Sequence, residues 1–196
     1  MDVHAPADAT EPPEVFERNM AVGARIWAAG IAFFFIAFLF AFVYLRALNS
    51  NGLWGAGKPH HHVHASLGLG IAILVCVLAG VAAPRAALLR PAFWRPAAGA
   101  ALLLGLAAVA LQCWQWAHLG FGPGDGGYAS VYLGWTGFFT IFVFGAMYWL
   151  ETIVATAVRS PAGAAELQPQ LAAFSIFWTM LGLVEIAAFV LLFGVK

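Results

Sequence analysis

Charged residues punctuate this chain at long intervals, and the stretches between them are apolar almost without interruption. Twenty uncharged residues, Ile26 to Leu45, separate Arg25 from Arg46. A second run extends from Ala65 to Ala83 and is closed by Pro84, and a third, from Ala97 to Ala117, is opened by Arg95 and Pro96. The fourth begins near Val131, passes Leu150 and reaches toward Val158. The fifth covers Leu171 to Val195 with Glu185 as its one ionisable residue. A bilayer core needs about 20 apolar residues per crossing helix, so each run is long enough to span. None alternates in the segments of about ten residues that build membrane barrels, and backbone in lipid must satisfy its own hydrogen bonds. The pattern predicts an all-α integral membrane protein of five transmembrane helices, at about 26–48, 65–83, 97–117, 131–158 and 171–195. Residues 18–196 form one membrane domain, preceded by a polar tail over residues 1–17 that is mobile or laid on a neighbour.

Composition narrows the class. Of 196 residues, 63% are hydrophobic and 9% charged, against roughly 45–50% and about 25% in soluble domains. Disordered, collagen-like and disulfide-scaffold proteins are excluded. Nine charges of each sign cancel, leaving no field to recruit nucleic acid. Cys76 and Cys113 sit inside apolar runs and read as small packing residues.

The cations set the orientation. With the N-terminus inside, the inner side holds Arg18, Arg25, Arg85, Arg90, Arg95 and Arg159, and the outer side Arg46, Lys58 and Lys196. This bias predicts N-inside and C-outside. Pro, Ala, Asp and Glu dominate residues 1–17, without the features of a cleaved signal peptide or a transit peptide, so the first span serves as its own signal anchor. No span repeats another, which gives no support to an inverted-repeat transporter.

Redox chemistry within such a bundle needs ligands for haem or metal. His4, His60, His61, His62, His64 and His118 all lie outside the span centres. There is no CxxCH, no zinc-spaced Cys/His set, no phosphate loop and no nucleophile elbow. The chain therefore reads as non-catalytic, with no cofactor of its own. The cluster His60, His61, His62 and His64 is a weak metal candidate, because imidazoles at this density bind zinc, copper or nickel. The plain alternative is a solvated loop at a helix start.

Four further features remain. Glu185 lies roughly 15 Å inside the last span, where a charge costs at least about 2.5–3.5 kcal/mol. It is either a protonatable group or partner contact, or a neutral acid that locks helix packing. Gln112 and Gln115 stand beside Trp114 and Trp116 in the outer half of span three. They bridge helices or simply accompany an interfacial aromatic belt. Glu151 falls at the inner headgroup level and reads as solvated. Phe33, Phe34, Phe35, Phe38, Phe40 and Phe42 surround the first span on all faces, as suits a helix with lipid on one side and protein on the other.

Four stretches together carry a family resemblance. Tyr128-Ala-Ser-Val-Tyr132, then Thr136-Gly137-Phe138, Val143 and Gly145, resembles the Y-G-S-x-F…T-G-F-H-G-x-H-V-x-G signature of subunit III of haem-copper oxidases. Gly105…Gln112-Cys-Trp-Gln-Trp-Ala-His118-Leu119 is similar to that family's G…Q-x-x-E…H-L helix. Asn19-Met20…Gly23…Trp27, the Phe run and Tyr44-Leu-Arg46 resemble its first helix in the five-span bacterial form, and Phe177-Trp178 the opening of its last. The resemblance covers about residues 19 to 196. The departures are specific: Ile31 and Gln115 replace family carboxylates, Phe139 and Phe142 replace its two histidines, and Trp178-Thr179-Met180-Leu181-Gly182 replaces W-H-F-x-D. Glu185 is new, one turn beyond the lost Asp.

The resemblance implies a subunit-III-like bundle with a lipid cleft, packed beside catalytic subunit I and other respiratory-complex subunits in a bacterial cytoplasmic membrane. Haem and copper belong to those partners, and bound phospholipid to this chain, with Trp27, Arg46 and Trp178 as candidate lipid contacts. The expected function is non-catalytic support of an oxidase that reduces oxygen with electrons from cytochrome c or quinol and pumps protons. Alternatives are an accessory subunit of a nitric oxide reductase, a small transporter or channel, and a metal-dependent membrane enzyme using the histidine cluster.

Overall fold

The computed structural model describes residues 12–49, 52, 54, 63–159 and 164–194. The described residues fold into five long helices: α1 (Pro13–Ala47), α2 (Val63–Leu89), α3 (Trp94–Ala117), α4 (Gly127–Arg159) and α5 (Ala164–Phe189). A 3-10 turn, Pro91–Phe93, leads into α3, and a π-helical turn, Val190–Gly194, ends α5. All five are long and apolar enough to cross a membrane. The chain is a helical, multi-pass membrane protein. Its exposed surface agrees, because Phe33, Phe40, Leu103, Ile141, Phe144 and Tyr148 are each more than half exposed, a surface that water would not tolerate at this density.

Helix ends differ from those expected. α1 starts at Pro13, not near residue 26, so residues 13–17, expected in the tail, are helical. Pro13 fits the first helical position, where no backbone N–H is needed, and Glu14 complements the helix N-terminus. Pro84, expected to close the second span, sits inside α2, which runs on to Leu89. α5 likewise carries Pro169 inside its first turns. Membrane helices tolerate such prolines because neighbouring groups satisfy the freed backbone. α1 and α4, at 35 and 33 residues, are about 50 Å long. Both exceed a hydrocarbon core of about 30 Å and must tilt or project into the headgroups.

Consecutive helices run antiparallel. Trp27 near the start of α1 meets Trp149 near the end of α4, while Phe34 meets Phe138. At the opposite end of the bundle the Tyr128 hydroxyl of α4 donates to the Leu192 carbonyl after α5 (2.9 Å). α5 is the central element, lying against α1, α2 and α4, while α2 also packs on α3 and α3 on α4. Phe174, Trp178 and Leu181 of α5 are fully buried.

Two close approaches fix the helix spacing. Gly80 of α2 lies under the indole of Trp178, 2.7 Å from where a Cβ would stand to Nε1, and Gly105 of α3 lies under the Met147 side chain of α4. Small residues at such crossings let helices approach where lipid offers no hydrophobic drive for association. The phenylalanines of α1 divide by face, with Phe35 and Phe42 buried and Phe33 and Phe40 exposed.

The α3–α4 connection, residues 118–126, is closed by its own polar groups. The Gly122 N–H donates to Asp125 Oδ2 (2.6 Å) and Ser130 Oγ donates to the Pro123 carbonyl (2.7 Å). Gly126 has φ 133°, a backbone conformation that favours glycine. This connection, the end of α1, the start of α2 and the end of α5 share one face of the bundle, called here the loop face.

Candidate functional site: a buried polar layer near the loop face

Six polar or charged side chains are buried among the described residues: Gln112, Gln115, Thr136, Thr140, Ser175 and Glu185. Five of them, together with Tyr132, lie on α3, α4 and α5 in the loop-face half of the bundle, called here the polar layer. α3 supplies Gln112 and Gln115 from successive turns, and the Gln112 Nε2 donates to Gln115 Oε1 (2.9 Å). α4 supplies Tyr132, Thr136 and Thr140 on one stripe. The Thr136 hydroxyl donates to the Tyr132 carbonyl and accepts from the Trp116 indole of α3 (3.0 Å). α5 supplies Glu185.

The layer has one gap in its bonding. Tyr132 is 2% exposed, and its ring is packed among those of Phe121, Tyr128 and Phe193. Its hydroxyl nonetheless completes no hydrogen bond. Buried polar groups are almost always satisfied, so such an orphan calls for a reason. Glu185 itself is 7% exposed, inside the bundle. Between α2, α3 and α4, a narrow gap lined by Ile73, Ala108, Val109, Gln112, Phe139, Thr140 and Val143 has no room for a water molecule.

Gln112, Gln115 and Glu185 thus fall in one region. Trp114 and Trp116 separate: Trp114 is exposed and stacked on His118 (4.0 Å), as a belt residue, whereas Trp116 points inward to Thr136. Glu151 is exposed, as expected. The candidate lipid contacts do not form one site. Trp27 is more than half exposed and packs on Trp149 and Phe177. Arg46 is half-buried at the other end of α1, nineteen residues later, or roughly 28 Å along the helix. One headgroup cannot touch both. Trp178 is fully buried and donates its indole N–H to the Val77 carbonyl (3.1 Å), so it is a clamp between α5 and α2 and not a lipid contact.

Of the histidine cluster, His60, His61 and His62 lie outside the described residues, and of His64 only the backbone, in α2, is described. Among the described residues, no three His, Cys, Asp or Glu side chains come together as a metal set.

Tyr132 is the member of the layer that sequence reasoning missed. It was visible as the last residue of Tyr128-Ala-Ser-Val-Tyr132, but a tyrosine so near a span end reads as interfacial. The positions where the resembled family carries histidine are filled by rings: Phe139 and Phe142 both pack against Phe35 of α1 (6.5 and 5.8 Å). No protein-family model matches the chain, and no curated protein is similar to it.

Proposed function

We propose that this chain is a non-catalytic, subunit-III-like component of a respiratory haem-copper terminal oxidase. In this reading it sits in a bacterial cytoplasmic membrane, N-terminus inside and loop face outside. It packs beside a catalytic subunit that holds the haem and copper, and it binds phospholipid in a cleft of its bundle. Its contribution is to stabilise that subunit and keep the surrounding lipid in place during turnover.

The observation that carries the reading is the pairing of resemblance-bearing residues from distant stretches. Trp27 of α1 lies against Phe177 of α5 (5.6 Å), and Trp116 of α3 donates to Thr136 of α4. Motifs that fall in the expected order along the chain therefore also come into contact in the bundle. In this reading Trp27 and Arg46 belong to opposite leaflets. Trp27, Trp149 and Phe177 offer an aromatic wall for acyl chains near the inner face, and Arg46 a cation for a phosphate near the outer face.

The test is gentle detergent extraction of the tagged full chain from its native membrane, followed by mass spectrometry and a reduced-minus-oxidised visible spectrum. Co-purification with a haem-containing subunit that consumes oxygen is the expected result. A haem-containing partner that consumes nitric oxide but not oxygen would assign the chain to a nitric oxide reductase instead. A colourless, self-sufficient oligomer would overturn the proposal.

A further inference from the structure

Arg85 is an exposed residue of α2, four residues before the helix ends at Leu89. Its guanidinium donates to the Thr179 hydroxyl of α5 (3.2 Å), which itself donates to the Ser175 carbonyl (2.7 Å). Helical side chains tilt toward the N-terminus, and α2 begins at the loop face, so Arg85 is directed toward the middle of the membrane. An arginine at a membrane edge ordinarily extends the other way, to water. Thr179 stands two residues to the loop-face side of Phe177, which meets Trp27. Trp27 in turn follows Arg25 by two residues, where the apolar run of α1 begins. The guanidinium is therefore held at the border of the apolar slab.

The acidic residues of the surrounding helices lie elsewhere. α2 and α3 contain no Asp or Glu. On α5, Glu166 is thirteen residues from Thr179, about 20 Å along the helix. Glu185 is six residues the other way and buried inside the bundle. Glu151 of α4 is two residues beyond Trp149, which packs on Phe177. Positions two apart on a helix point about 200° apart, so Phe177 and Thr179 occupy opposite sides of α5. A cation at an apolar border is costly without a counter-charge, and the planar fork of an arginine matches a phosphate.

From this point an apolar crease runs toward the loop face. Gly182 of α5, one turn beyond Thr179, approaches Leu78 and Val81 of α2. Flanking that contact, Val75 and Leu78 of α2 and Leu183, Ile186 and Val190 of α5 are exposed. Spacings of three and four residues keep each set on one side of its helix. Thr179 to Val190 spans eleven residues, about 16 Å, close to the half of a roughly 30 Å core that one leaflet fills. We infer that the α2–α5 crease binds one phospholipid of the leaflet opposite the loop face. Its phosphate sits on Arg85, which Thr179 holds in place, and an acyl chain lies along Leu78, Leu183 and Ile186. Arg90 and Arg95 follow Arg85 at five-residue intervals, and no acidic residue stands between Glu17 and Asp125. An ammonium headgroup finds no carboxylate here, so the preferred lipid is anionic. The site is on the other side of α5 from the Trp27–Trp149–Phe177 wall, goes beyond the function proposed above, and does not rest on the oxidase reading.

Native mass spectrometry of the purified full chain, titrated in detergent micelles with phosphatidylglycerol or phosphatidylethanolamine, tests this. The chain should retain one phosphatidylglycerol and hold it more tightly than phosphatidylethanolamine. Arg85→Gln should weaken phosphatidylglycerol binding by about tenfold, the loss of a charged hydrogen-bonding partner, and abolish the preference. Arg25→Gln, an exposed arginine near the same level on α1, should bind as the unaltered chain does. Thr179→Val should weaken binding by about threefold, and Thr179→Ser, which keeps the hydroxyl, should not. Inorganic phosphate in large excess should leave the lipid in place, because it has no chain to fill the crease. Equal retention by the unaltered chain and Arg85→Gln would overturn the inference, as would equal affinity for the two lipids or displacement by phosphate. If Arg85→Gln releases a co-purifying protein and leaves lipid retention intact, Arg85 pairs with a partner's carboxylate and the lipid site is overturned.

Discussion

Helix α4 meets two of its neighbours, α1 and α3, in different ways. Toward α1 it presents rings: Phe138 against Phe34 (5.0 Å), Phe142 against Phe35, and Trp135 against Phe35 and Phe38 (5.7 and 6.2 Å). Toward α3 it presents Thr136 to Trp116 and Met147 to Gly105. The ring seam gains from many weak, adaptable contacts, each pair worth about 0.5–1.5 kcal/mol beyond burial. The other face depends on few contacts, each with a required direction or a required absence of side chain. In lipid both must work by packing and hydrogen bonding, since hydrocarbon solvates apolar helices as well as protein does.

The two faces therefore answer to different substitutions, all measured by reversible unfolding in mixed micelles. The largest loss is expected in the seam. Phe35→Ala removes a ring that touches Phe34, Phe38, Trp135, Phe139 and Phe142, and should cost about 3–5 kcal/mol. Phe33→Ala, on the exposed face of the same helix, should stay within about 0.5 kcal/mol. Equal losses would show that the seam adds nothing to the bundle. On the opposite face, Gly105→Ala drives a methyl into the Met147 side chain and should cost about 1–3 kcal/mol. Gly99→Ala, where a Cβ meets nothing within 4 Å, should be neutral or better, because alanine favours helix. If both glycines behave alike, the α3–α4 approach is not limited by Gly105.

Smaller effects separate directional bonds from packing. Trp178→Phe removes the donor to the Val77 carbonyl and part of the ring over Gly80, and should cost about 1–2 kcal/mol. An unchanged midpoint would make the indole bond incidental. Gln112→Leu removes the bond to Gln115, and the average for such bonds in membranes is about 0.6 kcal/mol. A loss as large as that of Phe35→Ala would reverse the ranking of the two faces.

Much of the candidate layer was legible from residue type alone. Glu185, Gln112 and Gln115 stood out because polar side chains within apolar runs are costly enough to need a reason. Tyr132 did not stand out, since tyrosine carries an apolar ring and its position near a span end fitted the interface. Trp178 was expected at lipid from the resemblance alone, yet it is fully buried. A large amphipathic ring is equally at home in acyl chains and in a protein core, and nothing along the chain distinguishes the two. Pro84 misled because in water it would end a helix, while in a bundle its freed carbonyl finds other partners.

What the amino-acid order determined by itself was the number and kind of elements. Uninterrupted apolar length, compared with bilayer thickness, is a one-dimensional property, and five such runs become five helices. How each helix is turned about its axis was decided only by the tertiary structure. A helix facing water on one side advertises its inner face by polar spacing, but in lipid both faces are apolar and that signal vanishes. Shape takes over: Gly80 admits Trp178, and Gly105 admits Met147.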